Sequence, residues 1–210
     1  MNNRFNLNEE QIVALVREFQ PIIYQPQHDK YEPKFMYYRT RIRGNLLQIT
    51  YYTVWDNERH PRYILHVLYA FLFRKFYYGS IKDIEYIQVD VDLINKSIVN
   101  IRYDQPHNQN YHVMIPFHKP NQLKRVPQPQ VGEPVFIKFH GKENQFHGLI
   151  KPRFKEKRVQ MLVASWNHIY DVYLEDLGDK VREFQSLMLE KFDYKAYKKY
   201  KAYRRRKGDF

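Results

Sequence analysis

The carboxyl-terminal segment has the residue types and spacing that most clearly indicate a chemical role. From Lys195 to Lys207 it contains eight cationic residues and no acidic one, and a tyrosine recurs at every third position from Tyr194 to Tyr203. Cationic side chains neutralise phosphates and release counterions, while tyrosine rings can stack on bases. We therefore predict that this segment, the basic tail, binds nucleic acid or another polyanion. The predicted contact residues are Lys195, Tyr197, Lys198, Lys199, Tyr200, Lys201, Arg204, Arg205, Arg206 and Lys207.

A second basic cluster consists of Lys151, Arg153, Lys155, Lys157 and Arg158, and its first three members are added to the predicted contacts. If the basic tail folds back near this cluster, the two form one electropositive face, which favours nucleic acid as the partner. Two other interpretations of the tail stay open. It could contact an anionic membrane surface, where Lys and Arg are attracted to headgroups. It could also be solvated, with its tyrosines packed on the domain or on a neighbouring subunit of a homo-oligomer or larger assembly.

The formal net charge of +12 belongs largely to the tail. The 210 residues include 35 Lys and Arg against 23 Asp and Glu, and without the eight terminal cations 27 basic residues remain against those 23 acidic ones. The rest of the chain therefore has the charge balance of an ordinary folded domain.

Several classes of scaffold and enzyme need residues that this chain lacks. It has no cysteine, which excludes disulfide scaffolds, thiolate zinc sites and cysteine nucleophiles. Its nine histidines show no His-Glu-x-x-His spacing, and no glycine-rich phosphate loop or nucleophile elbow occurs. A non-enzymatic binding or structural role is therefore favoured over catalysis. The first residues lack the apolar run of a signal peptide, so a cytoplasmic location is expected.

Two carboxylates in the middle of the chain, Asp83 and Glu85, are a second candidate site. Because they are two positions apart, a strand would place them on one face, which continues into the apolar positions Ile87 and Val89. Carboxylates that face an apolar interior need a partner. That partner could be Ca²⁺ or Mg²⁺, which prefer oxygen ligands, or a cationic side chain. Alternatively, the strand begins only at Tyr86 and both carboxylates are solvated.

The elements that must position these residues are predicted to be mainly β. Asn8 can cap a helix that begins at Glu9, with Gln11 at its third position, and Pro21 requires the helix to end before it. A second helix is expected at Pro61–Phe76, with a continuous β-region as the alternative. Strands are predicted at Leu46–Trp55, from Ile84 onward, and at Ser97–Tyr103, Tyr111–Phe117, Pro134–His140 and Arg158–Ser165.

Short strands at this spacing are typical of an antiparallel β-sandwich. Beyond Gly178 the apolar residues return to helical spacing, at Val181, Phe184, Leu187, Met188 and Phe192. The predicted organisation is therefore a β-sandwich domain with an N-terminal helix over residues 1–177, followed by a helical, basic C-terminal extension over residues 178–210.

The order of four segments resembles that of the necrosis-inducing protein superfamily, which includes secreted plant cytolysins and vacuolar-sorting-associated relatives. The segments are Phe19–Tyr24, Val54–Trp55, Gly79–Val89 and Gly132–Ile137, and the similarity spans roughly residues 19–147.

Within this similarity, Gly79, Asp83 and Glu85 match the family heptapeptide Gly-His-Arg-His-Asp-Trp-Glu, while Ser80 and Ile84 replace its first His and its Trp. The resemblance implies a β-sandwich that binds a lipid headgroup or a sugar through a Ca²⁺ or Mg²⁺ ion. It implies Asp83 and Glu85 as metal ligands and Asp56 as an upstream acidic ligand.

Overall fold

A computed structural model describes residues 5–27, 29–57, 83–103, 152–164, 168, 170–172 and 177–195. The helix predicted at Pro61–Phe76 and the strands predicted at Tyr111–Phe117 and Pro134–His140 lie outside the described residues. So do Lys151 and the basic tail beyond Lys195.

Helix α1, Glu9–Glu18, forms as the sequence predicts. The Asn8 side chain accepts a hydrogen bond from the Gln11 backbone N–H at 2.8 Å, and the Gln11 side chain accepts one from the Asn8 backbone N–H at 2.9 Å. This reciprocal capping box satisfies two N–H groups that have no partner inside the helix. The buried Val16 and Phe19 fix the helix against the core.

Replacing Asn8 with alanine is expected to lower the free energy of unfolding by about 1 kcal/mol, because the Gln11 N–H loses its acceptor. Chemical denaturation followed by circular dichroism measures the change. Asn6→Ala, a substitution at an exposed asparagine in the same segment, is the matched control and should leave the stability unchanged. Equal stabilities of the two variants would contradict the capping role.

In the part of the chain that the structure describes, ten strands follow the helix and form two five-stranded sheets. They are β1 Ile22–Pro26, β2 Pro33–Arg43, β3 Leu46–Trp55, β4 Asp83–Asp92, β5 Ser97–Tyr103, β6 Phe154–Lys155, β7 Arg158–Val163, β8 Tyr170–Val172, β9 Val181–Phe184 and β10 Met188–Lys191. The first sheet has the order β6-β7-β1-β9, with β8 also paired to β7, and the second has the order β10-β2-β3-β4-β5.

The mainly β architecture with an N-terminal helix is confirmed, but the sheets are mixed and not purely antiparallel. β1 runs parallel to β7, and β10 runs parallel to β2, while the other pairs are antiparallel. The predicted strands β3 and β5 have the bounds expected from the sequence. β1 and β2 form in a Tyr- and Pro-rich segment for which the sequence analysis predicts no strand.

The helix predicted from Val181 to Phe192 was wrong over residues 181–191. A 3-10 turn at Gly178–Lys180 leads into β9, which pairs with β1, and β10 then pairs with β2. Val181, Phe184 and Phe192 each pack into a different hydrophobic cluster, so they share no helical face. Within the described residues beyond Gly178, α-helix occurs only at Tyr194 and Lys195.

The main core contains side chains of both sheets and of α1. It includes Val16 and Phe19 from the helix region, Ile23, Val159, Met161 and Val163 from the first sheet, and Leu47, Ile49, Tyr51, Ile87, Val89 and Val91 from the second. We call the face of the second sheet that is turned toward these residues its inner face, and the opposite one its outer face. Across the described ranges, no helix is long and apolar enough to cross a membrane.

Candidate functional site

Asp83 is the first residue of β4 and lies opposite Trp55 of β3 on the inner face. Glu85 lies opposite Thr53 on the same face, as the two-residue spacing predicts. Because the strand begins at Asp83 and not at Tyr86, the Asp83 side chain is buried, whereas Glu85 is half-buried. A carboxylate in this position must have a partner inside the protein.

That partner is His168. Its Nδ1 is 2.9 Å from an Asp83 carboxylate oxygen, and its Nε2 is 3.2 Å from a carboxylate oxygen of Asp29. The imidazole is fully buried and stacks on the Trp55 indole, with ring centroids 4.6 Å apart and planes 2° from parallel. We call these four residues, Asp29, Trp55, Asp83 and His168, the His168 cluster.

The electrostatics of the cluster favour a charged imidazolium. Burial alone lowers the pKa of His168, but the contacts with Asp29 and Asp83 outweigh it and raise the pKa from 6.5 to about 9. At neutral pH the ring therefore carries a proton on each nitrogen. Nδ1 donates its proton to Asp83, whereas the contact of Nε2 with Asp29 is an ion pair without hydrogen-bond geometry. Such a ring is unsuited to act as a base or as a metal ligand, since both nitrogens are occupied.

Neighbouring polar groups extend a hydrogen-bond network from the cluster into the sheets. The Trp55 indole N–H donates to the Gln25 side chain at 3.3 Å, and the Gln25 amide donates to the Tyr31 carbonyl at 2.6 Å. Burial raises the pKa of the Tyr170 hydroxyl well above its usual value, which keeps this group neutral beside the cluster. The arrangement ties β1, β3 and β4 together around the buried imidazolium of His168.

The three predicted metal ligands are brought to the same end of the β3–β4 pair but do not form a metal centre there. Asp56 follows Trp55 and forms an ion pair with Lys34 at 3.4 Å, while Asp83 contacts His168. In the described part of the chain, no group of three or more His, Asp or Glu side chains is arranged to hold a metal ion. The cation-dependent function implied by the family resemblance stays a prediction.

The basic cluster around residue 153 lies in the β6–β7 hairpin of the first sheet, and acidic partners offset part of its charge. Lys155 contacts Glu183 at 3.1 Å, and Lys157 forms an ion pair with Glu18. Arg158 donates to the Gln20 carbonyl at 2.7 Å. Arg153 is exposed. The hairpin therefore contributes less free positive charge than its sequence indicates.

A row of arginines that the sequence analysis missed lies on the outer face of the second sheet. Arg39, Arg41 and Arg43 alternate along β2 and are all exposed, whereas Thr40 and Ile42 between them are partly covered. We call these three residues the arginine row. Arg41 and Arg43 form no ion pair with any residue that the structure describes. The alternation of Arg with less polar residues over positions 39–43 is the period-two signal that could have revealed this strand.

Beside the arginine row, Asp90 accepts three side-chain hydrogen bonds and forms one ion pair on the outer face. The side-chain amides of Gln48, Gln88 and Asn100 approach its carboxylate at 3.2, 2.7 and 2.8 Å, and the Arg102 guanidinium is 3.3 Å away. We call the three amide residues the carboxamide patch. Because an ionised carboxylate only accepts hydrogen bonds, each amide must turn its NH₂ group toward Asp90.

The segment between β10 and the basic tail contacts the same face. After β10, the Phe192 backbone N–H donates to the Tyr38 carbonyl at 2.8 Å, and the Phe192 ring lies 6.1 Å from the Tyr37 ring and 5.0 Å from the Tyr52 ring. Asp193 then accepts a hydrogen bond from the Lys195 backbone N–H at 2.8 Å, and Lys195 is exposed. Lys195, the first cation of the tail, is therefore only three residues away from Phe192, which contacts the outer face.

Comparisons with protein-family models, with curated proteins and with solved structures find no match for this chain. Its function is therefore inferred from its own geometry. The His168 cluster is closed and its charges are paired, whereas the outer face presents exposed cations to solvent.

Proposed function

We propose that this chain is a non-enzymatic binding protein for nucleic acid or a related polyanion, built as a β-sandwich whose outer face and basic tail form the contact surface. The observation that carries the proposal is the arginine row, which places three exposed guanidinium groups on the sheet face from which the basic tail departs. Guanidinium groups are well suited to phosphates because they present several donors in a fixed plane.

Within the described residues, Arg41 and Arg43 form no ion pair, whereas several lysines do. The described lysines at positions 155, 157 and 191 each form an ion pair with a glutamate. The arginine row lies along β2 beyond the part that pairs with β10, because that pairing ends at Tyr38. A polyanion could therefore reach these three side chains without displacing a strand.

The test compares two variants that lose the same number of charges. The first changes the arginine row to glutamine, as R39Q/R41Q/R43Q, and the second, K155Q/K157Q/K191Q, removes three lysines that already have acidic partners. We expect the first to weaken binding of single-stranded DNA about tenfold and to make the slope of log K against log salt shallower by about 2. The second should leave both quantities close to those of the wild type. Fluorescence anisotropy across a salt series measures them.

Deleting the residues after Lys195 extends the test to the basic tail. If seven of its cations contact phosphates, the salt slope should become shallower by about 5. Equal slopes for the wild type and the arginine-row variant would contradict the proposed surface. In that case the arginines would serve only to discourage pairing of the β2 edge with other chains. The variant would then aggregate more readily but keep its affinity for DNA.

A further inference from the structure

The carboxamide patch offers hydrogen-bonding groups that the fold itself does not use. Each amide turns its NH₂ group toward Asp90, so its carbonyl oxygen faces away from the carboxylate and one N–H remains for another acceptor. Within the described residues, Asn100 Oδ1 and Arg102 Nε have no hydrogen-bond partner although both are shielded from solvent. Because these two atoms are shielded, the amide groups within reach of a surface ligand are those of the half-buried Gln48 and Gln88.

The register of the sheet places this patch between cations and aromatic rings. Arg41, Gln48, Asp90 and Asn100 lie opposite one another on successive strands. Neighbouring strands are about 4.8 Å apart, so Arg41 lies about 10 Å from Asp90 across the sheet. Farther along the strands, Tyr52 lies opposite the half-buried Tyr86 on the same face.

We infer that the carboxamide patch contacts base edges of single-stranded nucleic acid whose phosphates lie on the arginine row. This inference rests on the proposed function and narrows its ligand from polyanions in general to one class. Gln and Asn side chains pair with base edges through one acceptor and one donor, which are the groups left over here. Asp90 holds the three amides in place, so little side-chain entropy is lost when they bind.

The shape of the surface favours a single strand over a duplex. Base edges in a duplex are reached through a groove, which admits a helix or a two-stranded ribbon. The outer face belongs to a five-stranded sheet. Unpaired bases can be splayed over a sheet face and stacked on its aromatic side chains.

The experiment uses three probes on the full chain: a mixed-sequence single-stranded DNA, the same sequence as a duplex, and inorganic polyphosphate of matched charge. We expect the wild type to bind the single strand about tenfold more tightly than polyphosphate at equal salt. The variant Q48A/Q88A should lose about tenfold in affinity for the single strand and keep its affinity for polyphosphate. Q27A, which removes an exposed amide from the turn after β1, is the control and should change neither.

The outcomes separate this inference from the proposed function. If the single strand and polyphosphate bind equally well, or if Q48A/Q88A changes both affinities alike, base contact is refuted while polyanion binding stands. A duplex that binds as tightly as the single strand also refutes it. If none of the three probes binds, both the inference and the proposed function fail. Circular dichroism confirms that each variant is folded before its affinity is compared.

Discussion

Replacing His168 with alanine is expected to lower the free energy of unfolding by about 3–5 kcal/mol, because two carboxylates are then left without their shared cation in the interior. His168 is fully buried, and the Asp29 and Asp83 side chains are each only 5% exposed. Chemical denaturation at neutral pH measures the loss.

Two further variants isolate the cause. His168 has a backbone φ of 57°, a left-handed conformation that asparagine tolerates better than alanine. His168→Asn therefore keeps the backbone favourable while removing the charge, and it should lose nearly as much stability. Lys191→Gln removes a cation whose partner, Glu9, is 71% exposed, and it should leave the stability close to that of the wild type because solvent screens this ion pair. A loss below about 1 kcal/mol for both His168 variants would show that the cluster does not stabilise the fold.

The second large effect is a decrease in stability as the pH rises from about 6.5 to about 9. In the unfolded chain His168 loses its proton near its ordinary pKa of 6.5, whereas in the folded protein its pKa is about 9. Below pH 6.5 both states hold the proton and the contribution to stability is complete. Between the two values the unfolded state binds fewer protons, so stability decreases with pH, and above about 9 the contribution is lost. The total change is about 3 kcal/mol.

Unfolding curves recorded across this pH range test the effect. The groups that face the His168 ring are the carboxylates of Asp29 and Asp83, with Glu85 and the Tyr170 hydroxyl nearby. The carboxylates titrate in the acidic range when solvated, so His168 is the group of this cluster expected to respond between pH 6.5 and 9. The difference between the wild type and His168→Asn should shrink as the pH rises. A difference that is constant with pH would contradict the raised pKa.

Local patterns predicted much of the fold. The capping box at Asn8, the aromatic strand at Leu46–Trp55 and the two-residue period after Ile84 are each determined by neighbours in sequence, and the structure contains all three. The hairpin between β4 and β5 follows equally from its short polar turn, where Lys96 has a φ of 49°.

The failures of prediction are at contacts between residues far apart in sequence. Val181, Phe184 and Phe192 have helical spacing by coincidence, because each belongs to a different cluster of the fold. The parallel pairing of β2 with β10 depends on residues from the two ends of the described chain. No local pattern reports such pairing.

The candidate site was also predictable only where the signal is local in sequence. The spacing of Asp83 and Glu85 predicted their common face and the need for a partner, but nothing near them in sequence indicates His168. The arginine row carries a local signal that is visible in the alternation along β2. Of the predicted polyanion contacts, Arg153, Lys155 and Lys195 lie among the described residues, and Lys155 has an acidic partner.

The pairing of β1 with β9 and of β2 with β10 also determines when the protein can finish folding on the ribosome. Translation adds about 5–20 residues per second, so β1 and β2 emerge on the order of ten seconds before residues 181–191 that complete their sheets. During that interval the nascent chain exposes one edge of β2 to other chains. Arg39, Arg41 and Arg43 are on that strand, and closely spaced like charges discourage edge-to-edge pairing. The same three side chains would thus protect the chain during synthesis and face the ligand once folding is complete.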